Sequence, residues 1–190
     1  RKNLSQFNGK SILITGGAGS IGTELTKQLL RSDLKKIIVL DHSELNIYRL
    51  NQKLISSKLK IILGNILDYN FINKVIKNNN IDIIFHAAAY KHVKYLENNI
   101  YSAVKNNILG TYSLLKSTKN KKINFVFIST DKAVEPKTIL GITKRIGEIL
   151  INYIANQDGF KQSKFTIVRF GNVIGSDGSA LPYFYNQIKK

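Results

Sequence analysis

Six short runs of valine, isoleucine, leucine and phenylalanine punctuate this chain, at Ser11–Thr15, Lys36–Leu40, Lys60–Leu63, Ile81–His86, Asn124–Ser129 and Phe165–Phe170. Most are almost continuously apolar rather than alternating, which is the pattern of strands covered on both faces. Longer amphipathic stretches separate them, predicting helices at Ser20–Arg31, Glu44–Ser56, Tyr69–Lys77, Ala103–Lys119 and Ile139–Asn156. In the last of these, Ile142, Ile146, Ile149 and Ile154 recur at nearly helical spacing. Strand–helix alternation joined by right-handed crossovers dictates an α/β fold, a doubly wound parallel sheet with helices on both faces. No linker or internal repeat divides the 190 residues, so a single domain over 1–190 is expected. One further helix is expected within Ser179–Lys190, leaving a substrate-capping region largely missing. The chain opens on Arg1 and is expected to be a fragment of a longer protein.

Composition narrows the partners. With 43% hydrophobic residues and no apolar run near the ~20 residues that span a bilayer, a soluble globular protein without a signal peptide is expected. Absence of cysteine excludes disulfides and thiolate chemistry, and no metal site is expected. A formal charge of +17 would suit a polyanion. The lysines, however, are scattered among equally abundant Asn and Ile, the joint bias of an A/T-rich genome. The clusters Lys35-Lys36, Lys119-Lys121-Lys122 and Lys189-Lys190 are short and sit at expected element ends. No aromatic-interleaved platform accompanies them, so nucleic acid is not expected, and an anionic nucleotide suits the charge at least as well.

The first strand runs directly into T-G-G-A-G-S-I-G, Thr15 to Gly22, and then a helical pattern. Gly16, Gly19 and Gly22 let the turn tighten, a pyrophosphate approach the backbone, and helix pack on strand. Ser20 and Ile21 open that helix, whose amides and positive dipole end favour phosphate. The spacing is GxxGxxG rather than GxGxxG, and the place between first strand and first helix of a Rossmann-like pattern is what gives it weight. Asp41 closes the second run where an acid accepts from a ribose, arguing for NAD over NADP; capping the helix near Ser43 and Glu44 is its other reading. Asn65 and Ile66 could frame adenine, or Asn65 could form a turn. Ala87, Ala88 and Ala89 are small enough for a ring or ribose to lie on the backbone. His86 reads as a packed strand-end histidine.

The segment STDKAVEPKTILGITK carries the remaining chemistry. A strand end delivers Ser129, Thr130, Asp131 and Lys132 together, and the next helix carries Lys144. Read alone, Ser129-Thr130-Asp131 could end a strand and cap a turn, and Asp131-Lys132 could be a surface ion pair. Their coincidence with the glycine turn and Lys144 favours a site.

GGAGSIG, the HAAA strand end, Lys144 and VRFGNVIGS together resemble the extended short-chain dehydrogenase/reductase superfamily. SIGTEL (Ser20–Leu25), DHSE (Asp41–Glu44), AAAYKHV (Ala87–Val93) and STDKAVEP (Ser129–Pro136) are similar to its CapD-like polysaccharide-biosynthesis branch, the UDP-N-acetylhexosamine 4,6-dehydratases. The resemblance extends from Lys10 to about Phe184. Leu140 stands four residues before Lys144, where the superfamily places a tyrosine and long members of the branch commonly have methionine. An apolar filler role would tolerate leucine. The chain is thus similar to the long, membrane-attached kind, in which a cytosolic catalytic half follows transmembrane helices. Members continue well past the position of Lys190, so the isolated chain could bind cofactor and catalyse nothing.

The resemblance implies that NAD takes hydride from C4 of a UDP-N-acetylhexosamine, a base removes the C5 proton, an acid helps the C6 hydroxyl leave, and hydride returns to C6. It assigns Lys132 as base, Asp131 as acid, Thr130 to the C4 hydroxyl and Lys144 to the nicotinamide ribose. Such work requires Lys132 to lose its proton readily and Asp131 to hold one. Water or Asp131 could deprotonate the C4 hydroxyl. Asn172 is placed near the nucleotide-sugar phosphates, with Gly171 and Gly175 as turn residues. Lys91, Glu97 and Asn106 also fall in the pattern, or are ordinary helix-surface residues. Homo-oligomers would associate through the helices Ala103–Lys119 and Ile139–Asn156. The alternatives are a 4-epimerase or related nucleotide-sugar oxidoreductase, and a cofactor-binding module without catalysis.

Overall fold

A computed structural model describes residues 4–173 and 187–188, so Gly175 and nearly all of Ser179–Lys190 lie outside the described residues. Six parallel strands form one sheet in the order β3-β2-β1-β4-β5-β6. They are β1 Ser11–Thr15, β2 Lys36–Asp41, β3 Leu59–Leu63, β4 Ile83–His86, β5 Asn124–Thr130 and β6 Lys164–Phe170. The crossover helices are α1 Ser20–Leu29, α2 Glu44–Lys53, α3 Tyr69–Asn79, α6 Gly110–Lys116 and α7 Ile139–Ala155. Two short helices the periodicity could not reveal, α4 Val93–Glu97 and α5 Ile100–Ala103, precede α6.

Successive strand residues point to opposite faces, and each face builds its own core. Leu13, Ile38, Leu40, Ile84, Phe125 and Phe127 pack on the α3, α6 and α7 side, whereas Ile12, Ile14, Ile37, Val39 and Ile83 pack with Leu29 and Leu50 of α1 and α2. Side-chain caps set three helix starts. Ser43 accepts from the Asn46 amide, Asp68 from Phe71 and Thr138 from Gly141, each such cap contributing ~1 kcal/mol. Asn80, in the left-handed region at φ 47°, ends α3.

One expectation needs correction. The helix expected over Ala103–Lys119 is interrupted by a π-helical turn at Val104–Leu109, which turns Asn106 and Asn107 inward. On α7, the isoleucine stripe does not face the core throughout: Ile142 is 39% and Ile149 53% exposed. The buried face is instead Leu140, Gly141, Thr143, Lys144, Gly147, Glu148, Ile151 and Ile154. Small and polar residues win there because α7 lies almost on β5, where a Cβ at Gly147 would come within 2.8 Å of the Phe127 ring.

Ile84 is wholly buried in the larger core cluster. Ile84→Ala is expected to lower unfolding free energy by about 2–5 kcal/mol, read by urea denaturation.

Candidate active site

The chain builds outward from β1 to β3, then returns to place β4 on the other side of β1, so the strand order reverses between β1 and β4. Their carboxyl ends therefore diverge around a crevice, a cleft of 680 Å³. Gly16, at φ +65°, ends β1 against the next strand's exit, where any Cβ would lie 2.6 Å from the Ala88 Cα. Gly22 likewise packs against the backbone of Gly17, and a Cβ on it would overlap that backbone. No side chain caps α1, whose N-cap is Gly19, so its first turn presents backbone amides to the cleft. Ser20, Ile21, Asn65, Ile66, Ala87, Ala88, Ala89 and Lys91 line the same space. Glycine turn, uncapped helix start and cleft size together fit a dinucleotide.

Asp41 also lines the cleft but does not cap α2, a task that falls to Ser43. Its carboxylate accepts the Ala18 amide at 3.1 Å and the Ser43 amide at 3.0 Å, tying the glycine turn to the exit of β2. Asn65 forms the turn as well as the wall, accepting the Leu67 amide at 2.9 Å. His86 is a packed residue. Its Nδ1 lies 2.7 Å from Thr15 Oγ1 and its Nε2 2.8 Å from Thr111 Oγ1. Because Thr111 spends its proton on the Asn107 carbonyl at 2.6 Å, Nε2 must donate and Nδ1 accept. Burial, assisted by the Lys144 charge, pushes His86 down to about 3, so the ring stays neutral.

Asn107 went unnoticed in the sequence. Its Oδ1 accepts the Tyr90 amide at 2.8 Å and its Nδ2 donates to the Tyr90 carbonyl at 3.0 Å and Thr143 Oγ1 at 3.1 Å. One side chain thus holds the cleft wall to α7. Asn106, which donates to Asn107 at 3.0 Å, is a buried lining residue rather than a helix-surface one. Glu97 accepts the Ile139 amide at 2.9 Å and so fixes where α7 begins.

One strand over from the alanine floor, β5 ends in Thr130 and a 3₁₀ turn, Asp131–Ala133. Thr130 Oγ1 donates to Asp131 Oδ1 at 2.8 Å, and Lys132 reaches that oxygen through its amide at 2.8 Å and its Nζ at 3.1 Å. The Asp131 and Lys132 side chains are 57% and 37% exposed. The expectation that Asp131 holds a proton is corrected here, since the Thr130 and Lys132 hydrogen bonds lower its pKa below the usual carboxylate value. Asp131 rests ionised. Gly171, just past β6, approaches this carboxylate so closely that a Cβ would lie 3.2 Å from Oδ2, which puts the Asn172 segment beside the pair. Gly141 lies against the Lys132 carbonyl with no room for a side chain, setting α7 on the turn.

Neither Thr130, Asp131, Lys132, Lys144 nor Asn172 lines the cleft itself. Lys144 is turned into the wall, donating to the Ile128 carbonyl at 2.6 Å with Nζ 4.4 Å from the Phe127 ring centre. Burial lowers its pKa to about 8, opposed by the charge of Glu148. Leu140 is buried in a small apolar cluster with Leu96 and Ala103, the filler role expected of it.

Glu148, also unnoticed, is the hub behind this turn. Its carboxylate accepts from Ser129 Oγ at 2.6 Å, Arg169 Nε at 2.8 Å and Arg145 at 3.2 Å. Burial alone would raise its pKa, but the donors from Arg169, Ser129 and Arg145 outweigh that and bring it to about 2. Its place four residues after Lys144, on the buried face, was the available signal.

The sequence profile of the polysaccharide biosynthesis protein family matches residues 12–190. The chain belongs to that family. It is 42% identical over 190 residues to the capsular polysaccharide biosynthesis protein CapD of Staphylococcus aureus, covering 97% of this chain and 31% of that one. Identity is 36% to an inverting UDP-N-acetylglucosamine 4,6-dehydratase of Campylobacter jejuni (94% of this chain, 53% of that one). It is likewise 36% to a UDP-glucose 4-epimerase of Rickettsia bellii (97% and 55%). Among solved structures, Pen from Bacillus thuringiensis superposes with a TM-score of 0.90 at 37% identity, over 97% of this chain and 56% of that one. The chain thus spans between about a third and just over half of these relatives, with the Rossmann-like fold of the extended short-chain dehydrogenases.

Two tests follow from the buried charges. Glu148→Ala strands the buried Ser129 hydroxyl and frees the half-exposed Arg169, and is expected to cost about 1–3 kcal/mol in urea unfolding. Lys144 binds its proton less tightly folded than unfolded, so between pH 8 and 10.5 folding is favoured increasingly as pH rises. Lys144→Met should abolish that increment; an identical pH slope in both proteins over this window would refute the assignment.

Proposed function

We propose that the protein carrying this chain is a nucleotide-sugar 4,6-dehydratase, acting with NAD on a UDP-N-acetylhexosamine, preferentially UDP-N-acetylglucosamine, in surface-polysaccharide synthesis. The observation that carries this reading is the acid–amine pair, Asp131 and Lys132 at 3.1 Å, at the strand exit next to the cleft floor. The burial of Leu140 supports it, because no phenol stands there to serve reversible oxidation at C4. Relatives bearing dehydratase and epimerase names both support a nucleotide sugar as substrate.

The residues fit the dinucleotide as described, with Asp41 favouring a free ribose hydroxyl over a 2′-phosphate. When bound, the nicotinamide ring supplies acceptance of a hydride from C4 and its return at C6. The protein handles the protons. Ionised Asp131, hydrogen-bonded to Thr130, takes the C4 hydroxyl proton through that threonine as the ketone forms. The ketone acidifies C5, and Lys132 is the base that removes the C5 proton. Asp131 then gives its proton to the departing C6 hydroxyl, which leaves as water. Lys132 returns its proton to C5 as C6 is reduced, so both groups end as they began. The exposed Ile142, Ile149 and Tyr153 stripe of α7 is the face we assign to self-association. In the whole protein we place the cleft on the cytosolic side, with any membrane span outside this chain; none of the described helices is long and apolar enough to cross a bilayer.

Full-length protein incubated with UDP-N-acetylglucosamine and NAD is expected to yield a product lighter by one water. Lys132→Ala should lower turnover by about 10²–10⁴-fold with NAD affinity unchanged. An isomer of unchanged mass would establish epimerisation instead.

A further inference from the structure

Because all six strands are parallel, their first residues share the edge of the sheet opposite the cleft. Lysine marks that edge at five of the six strands, β4 being the exception with Asp82 before it. Lys36 opens β2, Lys60 is the second residue of β3, and Lys164 opens β6. Lys10 immediately precedes β1, and Lys122 stands two residues before β5. The crossover helices end at the same edge, with Lys53 and Lys77 in the last turns of α2 and α3.

Acids are sorted the other way. Asp41, Glu44, Asp68, Glu97, Asp131 and Glu135 all lie around the strand exits and helix starts on the cleft side. At the lysine edge, Asp33 and Asp158 are paired with Lys58 at 2.9 Å and Lys161 at 2.8 Å, and Asp82 accepts the Ser11 amide at 2.8 Å. Codon bias accounts for how many lysines the chain has, not for which end of the sheet they occupy. The helix macrodipole accounts for Lys53 and Lys77, but strand starts have no such dipole to answer.

A second observation lies in the loop between α2 and β3. Ile55 is 94% exposed, and it stands between Lys53 and Lys58. An apolar tip among ammonium groups matches the boundary between lipid headgroups and acyl chains.

We propose that this edge docks on an anionic phospholipid bilayer, its lysines against headgroup phosphates and Ile55 inserted beneath them. Five inter-strand spacings of ~4.8 Å make the row roughly 24 Å wide, a breadth suited to a surface rather than to one phosphate backbone. The apolar tip has a use in a bilayer and none on a nucleic-acid backbone. Docked this way, the cleft opens away from the lipid into water, where a nucleotide sugar arrives. The inference stands apart from the reading of the cleft and uses none of its residues.

Co-sedimentation of the 190-residue chain with vesicles tests it. Binding is expected to phosphatidylcholine vesicles containing about a third phosphatidylglycerol, and not to phosphatidylcholine alone. The combined variant Lys60→Glu, Lys122→Glu, Lys164→Glu should lose on the order of tenfold or more in affinity. A control with the same net charge but altered on the cleft side, Lys94→Glu, Lys105→Glu, Lys137→Glu, should stay within about twofold, and circular dichroism confirms that both fold. Ile55→Ser should weaken binding without changing its salt dependence. Absence of phosphatidylglycerol-dependent binding, or equal losses in both triple variants, overturns the proposal. Preference for a DNA duplex over vesicles at equal phosphate concentration overturns it too and assigns the edge to nucleic acid.

Discussion

The contact between Gly16 and Ala88 is the constraint from which the rest of the cleft follows. With no Cβ on Gly16, the exits of β1 and β4 come together at backbone distance before the chain departs in two directions. That meeting sets where α1 begins and directs its uncapped amides. Asp41 then locks the arrangement from the far side by holding Ala18. A methyl group at Gly16 would separate the strands at the point where their order reverses.

A polar frame organises the other half. Asn107 fastens the wall at Tyr90 to α7, Glu97 sets the first residue of that helix, and Glu148 gathers β5, β6 and α7 around one carboxylate. The turn after β5 hangs from this frame: Ser129 is bonded to Glu148, and Thr130, Asp131 and Lys132 follow directly. Positioning is thus assigned to buried groups, and the chemistry we propose to exposed ones. That division explains how Asp131 can be largely solvated yet held by the groups around it.

What was legible in the sequence was local. Apolar runs gave all six strands to within two residues, the glycine turn gave the passage from β1 into α1, and STDK gave the turn after β5. What was not legible depends on partners distant in the chain. Asn107 looks like any helical asparagine until Tyr90 is opposite it, and the π-helical turn that aims it leaves no periodic trace. The isoleucines of α7 recur at helical spacing, yet the face set against the sheet also takes glycine, threonine, Lys144 and Glu148, the last two with their polar ends bonded inside. Asp41 and Ser43 compete for the same cap two residues apart, and only geometry separates them.

The carboxylate of Glu148 draws its donors from three separate elements, and none of the three can detach without stranding the others. Fraying one at a time is therefore disfavoured. The end of β5, the middle of α7 and the end of β6 should open as a single cooperative block, exchanging their amide hydrogens at one shared rate. The turn that carries Asp131 and Lys132 is anchored to that block through Ser129 and through its close seat on α7.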